Sequence, residues 1–182
     1  LGDVYKRQHN LSLITKMPGL GDEGPDNLVQ GRFVCIRRAN DISQDGKFVP
    51  SPEIGSHGDA AFGTHHARDA WHLFNTMGYD LKLFSSALKL NTNLMHTLQF
   101  HLTVRKPVTH AELMQRCEAN DRVAMTHKKT ANSIFSFGRD HGFYGRILNQ
   151  TVIPYNGIHV SQDGRDITGF CFTPQDGNSL LS

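Results

Sequence analysis

Cysteine is scarce in this chain: Cys35, Cys117 and Cys171 are the three in 182 residues, widely spaced and odd in number. No Cys-x-x-Cys pair occurs, so neither a disulfide framework nor a four-thiolate zinc site is expected. An excess of one charge is also missing. Lys and Arg total 19 against 17 Asp and Glu, a formal net charge of +2, with no basic run longer than a pair. Nucleic acid is therefore not an expected partner. No apolar stretch approaches the roughly 20 residues that cross a bilayer, and nothing resembles a signal peptide. No membrane role is expected, and the cytoplasm is the expected compartment. No P-loop motif G-x-x-x-x-G-K-[ST] is present, and Gly19, Gly21 and Gly24 fall in a Pro/Gly-bearing loop. The chain is thus not expected to bind a dinucleotide by a motif of its own.

What is present is a globular composition, 38% hydrophobic and 20% charged. That is enough apolar material for one domain with its own core. Leu1 to Gln8 lacks an initiating Met and has no clear relation to the rest of the chain. Residues 1–8 read as foreign sequence, and residues 9–182 as a domain truncated at both ends.

Residues 17–30 read as a loop. A short strand is expected over Arg32–Arg38, apolar on both faces, followed by a polar segment to Gly58. Residues 66–77 repeat apolar side chains at helical spacing (Ala67, Ala70, Trp71, Phe74, Met77), with Gly78 as the cap. A strand is expected over 81–90. From Leu94 every second residue is Leu94, His96, Leu98, Phe100, Leu102, Val104, the pattern of a half-buried strand. Thr109-His110-Ala111-Glu112 is a capping box opening a helix with Leu113, Met114 and Cys117 inward. Further elements are a strand at 122–127, a helix from Thr130 to Gly142, and strands near 150–154, 157–161 and 166–173. Asp163-Gly164 marks a hairpin between the last two. The fold class is α+β, a mixed, largely antiparallel sheet with helices on one face.

His96 is the most informative residue. An imidazole on an apolar strand face must satisfy both ring nitrogens, so it is either a hydrogen-bonded core histidine or a general base. Periodicity alone favours the former. Arg37 and Arg38 end a strand, where a guanidinium fork suits phosphate, although a surface pair is the plainer reading. Ser56-His57-Gly58-Asp59 is a polar turn able to meet an anion. His65, His66 and His72 invite a metal site, but their spacing offers no convergent ligand set, and no metal is expected. The three cysteines sit in core-forming elements without a neighbouring cation, which makes them poor nucleophiles.

Four segments in this order, Arg37-Arg38-Ala39-Asn40-Asp41, Ser56-His57-Gly58, Asn91-Thr92-Asn93-Leu94-Met95-His96 and Arg139-Asp140-His141-Gly142, resemble the archaeal-type (type II) glyceraldehyde-3-phosphate dehydrogenase. The resemblance implies the family's catalytic domain without its dinucleotide-binding domain. It implies His96 as general base, His57, Gly58 and Arg37 as contacts to substrate or phosphate, and Arg38 and Gln175 as contacts to NAD or NADP. The nucleophilic cysteine would fall near Gln8, so this chain alone is expected to be inactive. The implied partners are glyceraldehyde 3-phosphate and inorganic phosphate, in a homo-oligomer that the family forms as a homotetramer. Departures from the family pattern are Asp59-Ala60 after Gly58, extra sequence around residues 64–77, and Cys171 where a glutamine is expected. A related semialdehyde dehydrogenase and a non-catalytic or metal-binding homologue of the same fold are the alternatives.

Overall fold

The computed structural model describes residues 24–39, 48–55, 58–92, 96–120, 123–141 and 151–173. Alternation of apolar residues builds the centre of the sheet. Strand β6 (His96–Val104) buries Leu98, Phe100, Leu102 and Val104, all below 9% exposed, and turns Thr97, Gln99, His101 and Thr103 to the other face. This is the face assignment that the period-two pattern predicts.

Two long strands flank β6. Strand β1 (Leu28–Arg37) pairs antiparallel with it, Cys35 opposite Leu98 and Phe33 opposite Phe100. Strand β10 (Asp166–Thr173) pairs antiparallel on the other side, Cys171 opposite Leu98 and Thr173 opposite His96. The sequence pattern places the first residues of β1 in a loop. They become strand because β6 extends far enough to template them, with Leu28 set against Val104 and a register shift between Leu28 and Gln30.

Strand β5 (Leu83–Lys89) lies beside β1 and parallel to it, and β2 (Glu53–Ile54) closes that edge. Beyond β10 come β8 (Thr151–Pro154) and β7 (Val123–Thr126), parallel to each other, while β9 (Ile158–Val160) hairpins onto β10. The order is β2-β5-β1-β6-β10-β8-β7, an eight-stranded mixed sheet when β9 is counted. Strands β3 (Gly58–Asp59) and β4 (Gly63–Thr64) form a separate small hairpin. The fold class is α+β, as the element pattern predicts.

Helix α1 (His65–Asn75) and helix α2 (His110–Glu118) cover the Leu98–Phe100–Leu102 face, contributing Ala67, Ala70 and Phe74 and then Leu113, Met114 and Cys117. The Thr109–Glu112 capping box forms in full, each side chain meeting the other residue's main-chain N–H. Helix α1 stops at Asn75, before Met77, which is 46% exposed and lies off the apolar stripe assigned to it. Helix α3 (Ala131–His141) differs from α1 and α2. It sets Ile134 with Ala124 and Val152 under Phe172, on the opposite sheet face. Over β5, β1, β6 and β10 that second face is not covered by a helix among the described residues, and Phe84 and Phe170 stand 46% and 43% exposed there.

Candidate active site at one end of the sheet

Strand directions bring separated parts of the sequence to one place. Strands β1 and β5 run parallel, and β6 runs against β1, so the C-terminal ends of β1 and β5 lie beside the N-terminal end of β6. Arg37, Lys89 and His96 sit at those ends. Strand β10 also finishes there, with Thr173 opposite His96. The short β2 reaches the same end, Glu53 opposite Lys89. Arg37 and Arg38 are thus placed beside His96, a residue 58 positions further along the chain than Arg38.

His96 shares the face of Leu98 and Phe100. Its Nε2 is shielded from solvent. Continuing the β1–β6 register one pair beyond Ile36–Thr97 sets Arg37 across from His96, on the face that also carries Cys35 and Phe33. Arg38 follows the strand and is 2% exposed. A guanidinium at that depth requires acceptors around it.

Main-chain hydrogen bonds fix this corner. The Arg37 carbonyl accepts from the Leu90 N–H at 2.7 Å, and the Ala39 N–H donates to the Thr92 carbonyl at 2.7 Å. Between them the Arg38 N–H donates to Nδ1 of His96 at 3.4 Å. Sequence reasoning names the Arg38 side chain and misses its main-chain amide, because a main-chain role leaves no side-chain signature.

Other expectations fall elsewhere. His57, Gln175 and Gln8 lie outside the described residues, as do Ser56, Leu94 and Met95 and the side chains of residues 139–141. Gly58 is described. It is exposed and begins the β3–β4 hairpin, which leans on β5 through Thr64, whose Oγ1 is 2.6 Å from Ser85 Oγ. His65 and His66 have ring centroids 4.2 Å apart. Among the described residues no group of three or more His, Cys, Asp or Glu is placed to hold a metal ion. His101 faces away from His96, as the strand period predicts, with Nε2 3.3 Å from Asp166.

Two of the cysteines are held as thiols. Burial, with a smaller contribution from Glu118, pushes the Cys117 thiol up to about 12. Burial pushes Cys171 up as well, and the nearby Cys35 and Cys117 add to it. Neither is a nucleophile at neutral pH, since the thiolate is the reactive form. A shallow cavity of about 510 Å³ opens between the β7–α3 connection and β10, lined by Lys128, Lys129, Ile134, Phe170 and Phe172 among others. None of the residues named from sequence lines it.

No family model matches the chain. The chain is 28% identical over 138 residues to a glyceraldehyde-3-phosphate dehydrogenase of Metallosphaera sedula, an alignment covering 71% of this chain and 37% of that protein. Its fold is similar to aspartate semialdehyde dehydrogenase II of Vibrio cholerae (TM-score 0.61, 10% identity, 92% of this chain and 55% of the other). It is also similar to a probable aspartate-semialdehyde dehydrogenase of Pseudomonas aeruginosa (TM-score 0.61, 11% identity, 90% and 55%). The chain therefore spans little more than a third of the curated relative and about half of each solved structure. Among the described residues no helix is long and apolar enough to cross a membrane.

Proposed function

We propose that this chain is the substrate-side catalytic domain of an NAD(P)-dependent phosphorylating glyceraldehyde-3-phosphate dehydrogenase. The observation that carries the reading is the meeting of Arg37 and Arg38 with His96 at one end of the sheet. Supporting it are the distant sequence likeness to a protein of that name and the fold likeness to dehydrogenases acting on semialdehydes. In this reading Arg37 grips a phosphate, His57 and Gly58 form a second phosphate contact, and His96 serves as the acid–base group. Arginine's planar fork suits phosphate oxygens, and a histidine titrates near working pH. Glyceraldehyde 3-phosphate and inorganic phosphate are the proposed substrates.

The described residues do not make a dinucleotide cradle. Gly24 leads into a 3₁₀ turn and then into β1, whereas a dinucleotide fingerprint needs a glycine turn opening a helix. Arg38, assigned to the cofactor by resemblance, is buried. No hydride-transfer step is therefore assigned to residues of this chain, and the nucleophilic thiol is not assigned to Cys117 or Cys171. The proposed contribution of this chain is to bind phosphate and to hold an imidazole where a proton must move. Homo-oligomer formation is proposed too, with the sheet face around Phe84 and Phe170, which no helix among the described residues covers, as the proposed surface.

The test is aldehyde-dependent reduction of NAD or NADP by a full-length protein carrying this domain. Turnover of glyceraldehyde 3-phosphate that depends on inorganic phosphate is expected. Preference for an unphosphorylated semialdehyde would move the assignment to the second reading, a semialdehyde dehydrogenase, which the solved-structure likeness favours.

A further inference from the structure

We infer that the Arg37–Arg38 peptide sets the tautomer of His96, placing its single proton on Nε2. One peptide plane sets the geometry. In a trans peptide the carbonyl and the N–H point in opposite directions. The carbonyl of Arg37 points toward the β5 side, where the Leu90 N–H holds it at 2.7 Å. The Arg38 N–H must then point toward the β6 side. There the acceptor is Nδ1 of His96. The Ala39 bond to Thr92 keeps the peptide from turning away.

The direction of that bond fixes the proton. A neutral imidazole carries one proton, and the nitrogen that accepts from an N–H cannot be the one that holds it. Nδ1 accepts, so Nε2 carries the proton. For the ring to act as a base it would have to take a second proton at Nδ1, which requires breaking the bond to Arg38. The acid–base role proposed for His96 therefore begins with release of the Arg38 N–H from Nδ1. Arg38 is in this respect a positioning residue acting through its main chain. The consequence for chemistry rests on the dehydrogenase reading, whereas the tautomer itself does not.

Ring-nitrogen NMR of the chain labelled with ¹⁵N-histidine tests the inference directly. The His96 signals are found by their loss in His96→Gln. The expected pattern is an unprotonated Nδ1 and a protonated Nε2 on His96. A proton on Nδ1, or the averaged pattern of an unconstrained ring, would overturn the proposal. Arg38→Ala keeps the main-chain N–H and is expected to keep the pattern. Arg38→Pro removes that N–H and is expected to shift His96 toward the averaged pattern. Loss of the pattern in Arg38→Ala, or its survival in a folded Arg38→Pro, would show that the amide is not the cause. If Arg38→Pro does not fold, the wild-type and Arg38→Ala spectra decide. These spectra read no activity, so a failed dehydrogenase assay leaves them standing, and an unexpected tautomer leaves the dehydrogenase reading standing.

Discussion

Gly169 stands directly opposite Phe100 across the β6–β10 pair, and the room its missing side chain leaves is occupied by the phenyl ring. A Cβ at residue 169 would sit 2.8 Å from Cζ of that ring and 2.7 Å from the Gly157 carbonyl oxygen. Phe100 is 2% exposed and lies at the centre of the core. The strand that ends beside His96 is thus anchored by a large–small pair at its middle.

Gly169→Ala is expected to cost about 1–3 kcal/mol by overpacking, read as a lower midpoint in urea unfolding. Phe100→Leu in the same chain relieves the ring contact but not the carbonyl contact, so only part of the loss should return. Full stability in Gly169→Ala alone would show that the close approach is absent.

Ser85 sits under helix α1 with its Oγ joined to Thr64 Oγ1 at 2.6 Å and accepting from the Ala67 N–H at 3.1 Å. Ser85 is 1% exposed and Thr64 3%. Ser85→Ala strands a buried donor at the helix start and is expected to cost about 1–3 kcal/mol. Hydrogen exchange should rise first at the amides of α1. Uniform loss of protection across the sheet instead would refute a local role.

Thr109→Ala removes the cap from α2 and should lower stability by about 1 kcal/mol. The partner carboxylate gives a pH signature. The Thr109 main-chain N–H, then the Thr109 hydroxyl, hold the Glu112 carboxyl below its ordinary value of 4.5. A lowered folded value contributes stability above the unfolded value that is lost as pH falls through the folded one. Wild type should therefore lose more stability than Glu112→Gln as pH drops below 4.5. Parallel curves would contradict this.

Cys117 gives the opposite signature. Its folded value of about 12 lies above the ordinary 9.0, chiefly because of burial. The contribution is complete below pH 9 and is lost as pH rises toward 12, because the unfolded thiol ionises first. The slope in that window should reach about 1.4 kcal/mol per pH unit for one proton. Cys117→Ala should flatten the alkaline arm while lowering stability at neutral pH. An unchanged arm would show that Cys117 ionises freely in the folded state.

In a full-length protein carrying this domain, His96→Ala is expected to lower turnover by roughly 10²–10⁴, the range for losing an acid–base group. Unchanged turnover per folded molecule would return His96 to the role of a core histidine.

The period-two alternation from Leu98 to Val104 determined which face of β6 is buried and put His96 on it, because a pleated strand next to a core leaves no other register. The Thr109–Glu112 spacing determined where α2 begins, since both partners of a capping box lie within one turn. Local pattern did not reveal that β1 lies between β5 and β6, because strand order is settled by long-range pairing and by which helix covers which face. The same limit let α3 pass to the far side of the sheet. Only the tertiary structure decided that Arg37, Arg38 and His96 meet. It alone decided that His96 receives a main-chain N–H, because that bond depends on the direction of a single peptide plane, which no side-chain pattern encodes.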